Sequence, residues 1–204
     1  MNQIHRGTFL STDDFQDLEI KIRDILDRNG FASQKINLKK LPDKPIQQEQ
    51  PAQKNHLLSA DAFRIRVMQP LRFSVEIVKP LQLKDFLFLA GRLNFSPQHQ
   101  TAIEKLDSNK RFELLDELRL ELGRKAPTVK FDFANGKTLK AIECMVPVII
   151  TEHDLVKDLF TGMDAINKSF FTVIFVLQSH LRKAGVNFTQ EGRADARGSF
   201  DGYS

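Results

Sequence analysis

Residues 63–80 read FRIRVMQPLRFSVEIVKP, and the fold class turns on them. Phe63, Ile65 and Val67 alternate with Arg64 and Arg66, and Leu71, Phe73, Val75 and Ile77 then alternate with Arg72, Ser74 and Glu76. A period of two belongs to a strand with one apolar and one wet face. Gln69-Pro70 leaves only a short connection between the two runs, so the stretch predicts an antiparallel hairpin. The next run, Asp85 to Gly91 (DFLFLAG), is apolar at both parities. It reads as a central strand or one covered on both faces.

Further along, Ser96-Pro97 pairs a capping hydroxyl with proline at a first helical position. It opens a helical region through Leu106, followed by a second piece from Lys110 to Leu122 with Phe112, Leu115, Leu118 and Leu122 as its apolar stripe. Gly123 and Pro127 end that piece. Val129, Phe131 and Phe133 alternate again, Asn135-Gly136 is a strong hairpin signal, and a long strand returns from Leu139 to Ile150. Pro147 has no amide donor, which puts that end of the strand at an edge or a bulge. Thr151-Glu152-His153-Asp154 resembles a capping box, and helical periodicity then runs to about Lys183. On the other side of the hairpin, Ser11-Thr12-Asp13-Asp14 starts a helix carrying Phe15, Leu18, Ile22 and Ile25, stopped by Asn29-Gly30.

The order is therefore αβββαββα: an α+β protein with a five-stranded antiparallel sheet packed on helices. Residues 12–183 form the single domain and residues 1–11 an N-terminal extension. Residues 42–56 hold three of the eight prolines and four glutamines with little to bury, so they predict a loop-like insert. Residues 184–204 hold four of the ten glycines and predict a disordered tail.

Composition narrows the function classes. Over 204 residues, 30 Lys and Arg face 26 Asp and Glu, an excess too small to point to nucleic acid without clustering. Cys144 is the one cysteine, which excludes an intramolecular disulfide and a Cys-rich metal site. MNQIHRGTFL lacks an apolar run of signal-peptide length, and residues 169–177 (SFFTVIFVL) fall short of the roughly 20 apolar residues of a bilayer span. The expectation is a soluble, cytoplasmic protein with no membrane partner.

The αβββαββα order resembles the fold of type III secretion chaperones, small cytoplasmic dimers that hold effectors in a partly extended form. The strands FRIRVMQP and LRFSVEIVKP, the block FLFLAGRLNFSPQHQTAIEKL and the run KFDFANGKTLKAIECMVPVIITEHDLVKDLF resemble more closely an uncharacterised archaeal and cyanobacterial family sharing that fold. The likeness covers about residues 12–183 apart from the insert, and its motifs mark a fold rather than a catalytic site. The long Pro/Gln-rich segment departs from the family's minimal pattern. It leaves open whether Ile36 and Leu38 begin a further strand.

No phosphate-binding glycine loop, dinucleotide fingerprint or HExxH occurs. The five histidines, at 5, 56, 99, 153 and 180, have no i, i+4 partner histidine. Glu143, His99, His153 and Cys144 are the modest candidates for chemistry. For His153 a capping role, and for Cys144 a small hydrophobic one, compete with any catalytic reading. Arg64, Arg66 and Arg72 share the wet parity and form a candidate basic stripe, against ordinary cross-strand pairing with acids such as Glu76.

The last helix carries the broadest apolar arc. Beyond its core stripe, Val156, Phe160, Phe171, Ile174 and Phe175 widen that arc to about 200°, roughly twice what one sheet needs. Either another helix of the chain covers this flank, or Phe160, Phe171, Ile174 and Phe175 form an interaction surface. The sequence thus points to a non-enzymatic protein-interaction module without catalytic residues, cofactor or metal, most simply a homodimer, with a protein client as partner. A small enzyme with an unrecognised pocket and a weak nucleic-acid binder are the alternatives.

Overall fold

Alternation in the central sequence becomes a sheet whose apolar parity faces one helical layer. The structure is a computed structural model describing residues 12–36, 61–69, 71–126, 128–151 and 154–185. The expected N-terminal extension, the Pro/Gln-rich insert, His153 and nearly all of the expected tail lie outside the described residues. The elements are α1 (Thr12–Arg28), β1 (Ala32–Lys35), β2 (Asp61–Gln69), β3 (Val75–Pro80), β4 (Phe86–Asn94), α2 (Pro97–Glu104), α3 (Ser108–Gly123), β5 (Thr128–Ala134), β6 (Thr138–Ile149) and α4 (Leu155–Lys183). All neighbouring strands are antiparallel, in the order β1-β2-β3-β4-β6-β5.

The sheet has six strands where the sequence predicts five. The additional one is β1, which pairs Ser33 with Val67 and Lys35 with Ile65 at the edge of β2. It is tied to α1 by Lys35 Nζ donating to Glu19 Oε2 at 2.8 Å. A second correction concerns the hairpin: β3 begins at Val75, so Leu71 to Ser74 are not strand. Phe73 instead turns into the helical layer, edge-on to Phe170 at 5.3 Å and to Phe171 at 5.5 Å. Asn135 and Gly136 are the central residues of a turn closed by the Lys137 amide donating to the Ala134 carbonyl at 3.1 Å, and both have positive φ, 51° and 69°, which Asn and Gly tolerate best.

Phe63, Ile65, Ile77, Leu87, Leu89, Ile142 and Cys144 point to one side and join residues of all four helices in one core. The other face of the sheet has no helix on it among the described residues. α4 crosses the covered face, with Leu159, Ile166, Phe170 and Val173 fully buried. By length and composition alone α4 is apolar enough to cross a bilayer, yet these residues lie on the sheet. Small residues let it come close. A Cβ built on Gly91 of β4 meets Ile166 Cγ2 at 2.6 Å, and one built on Gly162 of α4 meets Leu89 Cδ1 at 2.4 Å. Both are below van der Waals contact, so helix and sheet approach closely where these glycines lie.

α3 packs beside α4 through Leu114, Leu118 and Leu122, keeping Leu118 and Leu122 of the predicted stripe and replacing Phe112 and Leu115 by Leu114. Phe112, expected in the core, is 66% exposed, and Leu115 is half-buried. Leucines at 114, 115, 118, 120 and 122 permit two stripes, and the position of α4 selects the i, i+4 one. Pro147 lies where β6 has β4 on one side only, since β5 reaches no further than Met145.

Candidate functional site

The open face is built by the residues that alternate with the core. In register across it, Val78 of β3 lies beside Phe88 of β4, and Phe88 beside Pro147 of β6. One row along, Glu76, Ala90 and Met145 are neighbours; on the other side Phe86 lies beside Ile149. Phe86, Phe88, Ala90, Met145, Pro147 and Ile149 therefore form a continuous apolar row, half-buried at Phe88, Ala90 and Met145, on a face that no helix covers among the described residues. Phe86 is 37% exposed and Ile149 52%. Such a patch, rimmed by polar groups, is the kind of surface that marks an interaction site.

Two ion-pair networks frame it. On the β2 side Arg64 bonds Asp61 and Glu76, and Arg66 Nη2 donates to Glu76 Oε1 at 3.0 Å. On the β5 side Arg92 bonds both Asp132 and Glu143, with Lys130 3.9 Å from Glu143. The hydrogen bond from Arg92 holds the Asp132 carboxyl below its usual range. Partial burial opposes the charge of Arg92, but its bonds to Asp132 and Glu143 outweigh that and raise its pKa. Charges of both signs thus border an apolar centre, and neither network leaves a one-sign stripe.

The candidates read from the sequence fall in several places. Arg64 and Arg66 share the open face; Arg66 is paired with Glu76 directly across on β3, and Arg64 bonds Asp61 of its own strand and Glu76 diagonally across. Arg72 leaves that group, because its segment is not strand, and its guanidinium lies over the Phe171 ring at 5.2 Å. On α4, Phe160 stacks on Phe31 at 5.2 Å and Ile174 packs against the core, so both are partly covered within the chain. Phe171 is 40% exposed and Phe175 74%. Phe160 also lines a groove of about 340 Å³ with Asn29, Phe31, Leu71, Met163 and Asn167.

Glu143 and Cys144 are neighbours in sequence and on opposite faces. The Cys144 thiol is buried beneath α4, and burial pushes its pKa up to about 12, against a hydrogen bond with Ser169. His99, in the first turn of α2, has Nδ1 2.6 Å from the capping Ser96 Oγ, and burial lowers its pKa. Among the described residues no three His, Cys, Asp or Glu side chains are grouped to hold a metal ion. The open face offers contact area and fixed charge.

Sequence reading missed this patch. Its signal was the apolar residues of Phe86 to Gly91 at both parities, which announce a second apolar face; what they could not say was that no helix of the described residues lies on it.

An open-faced antiparallel α+β domain with an apolar patch framed by ion pairs is the class that fold and site define. The chain belongs to the family described as "Uncharacterized conserved protein (DUF2299)", whose model matches residues 49–179. Among solved structures it is similar to an uncharacterized protein from Methanothermobacter thermautotrophicus. The likeness has a TM-score of 0.61 at 17% identity and covers 80% of this chain and 98% of that one. At that identity it shows the fold alone. No curated protein matches the chain.

Proposed function

We propose that the protein is a non-enzymatic protein-interaction module that holds an extended segment of a client polypeptide across the open face of its sheet. The observation that carries this reading is the patch itself, centred on Phe88 and bordered by ion pairs. An extended segment sends alternate side chains to one side about 6.6–6.8 Å apart, enough to set successive apolar residues on neighbouring parts of the patch. Burying an exposed Phe contributes about 1.5–3 kcal/mol, and the part of Phe86, Phe88 and Ile149 still accessible contributes a fraction of that each, so affinity comes from covering several of them together. The bordering carboxylates and guanidinium groups discriminate among clients by charge more than they add affinity.

The resemblance read from the sequence to type III secretion chaperones supports the same reading, since those proteins keep their clients partly extended, although the sheet here has one strand more than that order. In this role the protein works in the cytoplasm without cofactor or metal. The test is an array of short synthetic peptides with alternating apolar residues, probed with the full chain and then with Phe88→Glu. Saturable binding by the wild type that Phe88→Glu loses while keeping its melting temperature is the expected result. Absence of saturable binding, or binding that Phe88→Glu leaves intact, overturns the proposal.

A further inference from the structure

We infer that the protein pairs with a second copy of itself along β5, edge to edge, to make one continuous sheet of twice six strands. This inference does not depend on what the open face binds. Among the described residues β5 ends the sheet, with β6 as its one neighbouring strand. Edge strands are usually blunted by proline, a bulge or a covering element. β5 has no proline or glycine from Thr128 to Ala134. The irregularity in its pairing belongs to β6, where Lys140 is the extra residue between Leu139 and Ala141, so β5 is regular along its length.

The charges of β5 specify a partner. A two-fold axis through Phe131 and perpendicular to the sheet sets Thr128 opposite Ala134 of the partner subunit, Val129 opposite the partner's Phe133 and Lys130 opposite the partner's Asp132. All seven residues then pair, each facing the same side as its opposite number. Both Lys130 and Asp132 are on the open face and reachable, with side chains 55% and 34% exposed. Moving the axis to Lys130 puts lysine against lysine, and moving it to Asp132 puts aspartate against aspartate. Opposite charges across a strand pair stabilise and like charges destabilise, so one register is selected.

The helical side agrees. Arg119 of α3 lies over the Phe131 ring at 5.7 Å, and Phe112 is two turns away on the same helix face, exposed. Val129, Phe131 and Phe133 are only half-buried beneath it. The same axis puts both helical layers on one side of the joined sheet, so Phe112 of each copy gains apolar cover near the seam. It also leaves both open-face patches facing the same way.

The experiment is sedimentation velocity of the full chain over a concentration series up to roughly 100 µM, with Lys130→Asp, Asp132→Lys and the double exchange. Wild type should be a dimer. Each single reversal should raise the dissociation constant about tenfold or more, because symmetry counts the changed pair twice. The double exchange restores complementarity and should return it to near the wild-type value, which a merely structural role for these residues would not do. If a reversal does not fold, Phe112→Ser serves instead, and should weaken the dimer without lowering the melting temperature. A monomeric wild type, a folded double exchange that stays monomeric, or a dimer broken by Phe171→Ser with Phe175→Ser but indifferent to Lys130→Asp overturns the inference.

Discussion

Replacing Gly91 by alanine tests how closely α4 sits on the sheet. The new methyl would be 2.6 Å from Ile166 Cγ2, 2.8 Å from Phe170 Cε2 and 3.0 Å from Phe170 Cζ, where unstrained carbon contacts need about 3.5 Å or more. Neither neighbour can step aside. Ile166 is β-branched on a helix and essentially confined to one rotamer, and Phe170 is held edge-on to Phe73 at 5.3 Å. The helix must therefore lift, and overpacking of this kind costs about 1–3 kcal/mol. Loss of glycine's flexibility in the unfolded chain returns about 0.4–1 kcal/mol. The net is a destabilisation of up to about 2.6 kcal/mol, centred on about 1.3 kcal/mol, which lowers the melting temperature by about 3–5 °C for a chain of this size. Gly123→Ala is the control: at the end of α3 its new methyl meets nothing within 4 Å, and it should leave stability level or raise it by up to about 1 kcal/mol. Thermal and urea unfolding followed by circular dichroism measures both. If Gly91→Ala melts at or above the wild type, the close approach of α4 is refuted.

Leu118→Ala should cost about 2–5 kcal/mol in urea unfolding, because Leu118 is buried, whereas Phe112→Ala at low protein concentration should stay within about 0.5 kcal/mol. Cys144, with its pKa near 12, has a thiolate fraction of about one in ten thousand at pH 8, so a colorimetric thiol titration should find no free thiol in the native protein and one after denaturation. The same shift makes stability decline as pH rises above the thiol's unfolded pKa of about 9 toward 12, because the folded state holds that proton more tightly; Cys144→Ser should flatten this limb in pH-dependent melts. Asp132 has its folded pKa depressed by Arg92, so its contribution is present above the unfolded value of 3.8 and lost as pH falls through the folded one. Asp132→Asn should remove that acid-side dependence at a neutral-pH cost below about 1 kcal/mol, the pair being partly solvated.

How much of this was legible depends on where each signal is written. The hairpin at Asn135-Gly136, the stop at Gly30 and the edge position of Pro147 are local chemistry, and the sequence states them outright. β1 is not local: Ala32 to Lys35 (ASQK) carries no apolar alternation, and it is a strand because β2 offers it an edge. Arg72 was placed with Arg64 and Arg66 by parity alone, and parity ends where Phe73 finds aromatic partners in α4. The apolar arc of α4 was visible in full, but which part is covered depends on Phe31 and Phe73, distant in the chain. The patch on the open face was half visible, as an excess of apolar residues in β4 with no indication of which neighbour they lack.

β4 therefore carries two separate kinds of constraint on one backbone. Leu87, Leu89, Gly91 and Leu93 are bound to the helical layer, so substitutions there are felt as lost abundance of folded protein. Under the proposed function Phe86, Phe88 and Ala90, interleaved with them, are answerable to the client on the other side. A population of variants sorted first for solubility and then for activity would be depleted at odd positions in the first round and at even positions in the second. Neighbouring residues a few ångströms apart would thus acquire unrelated histories.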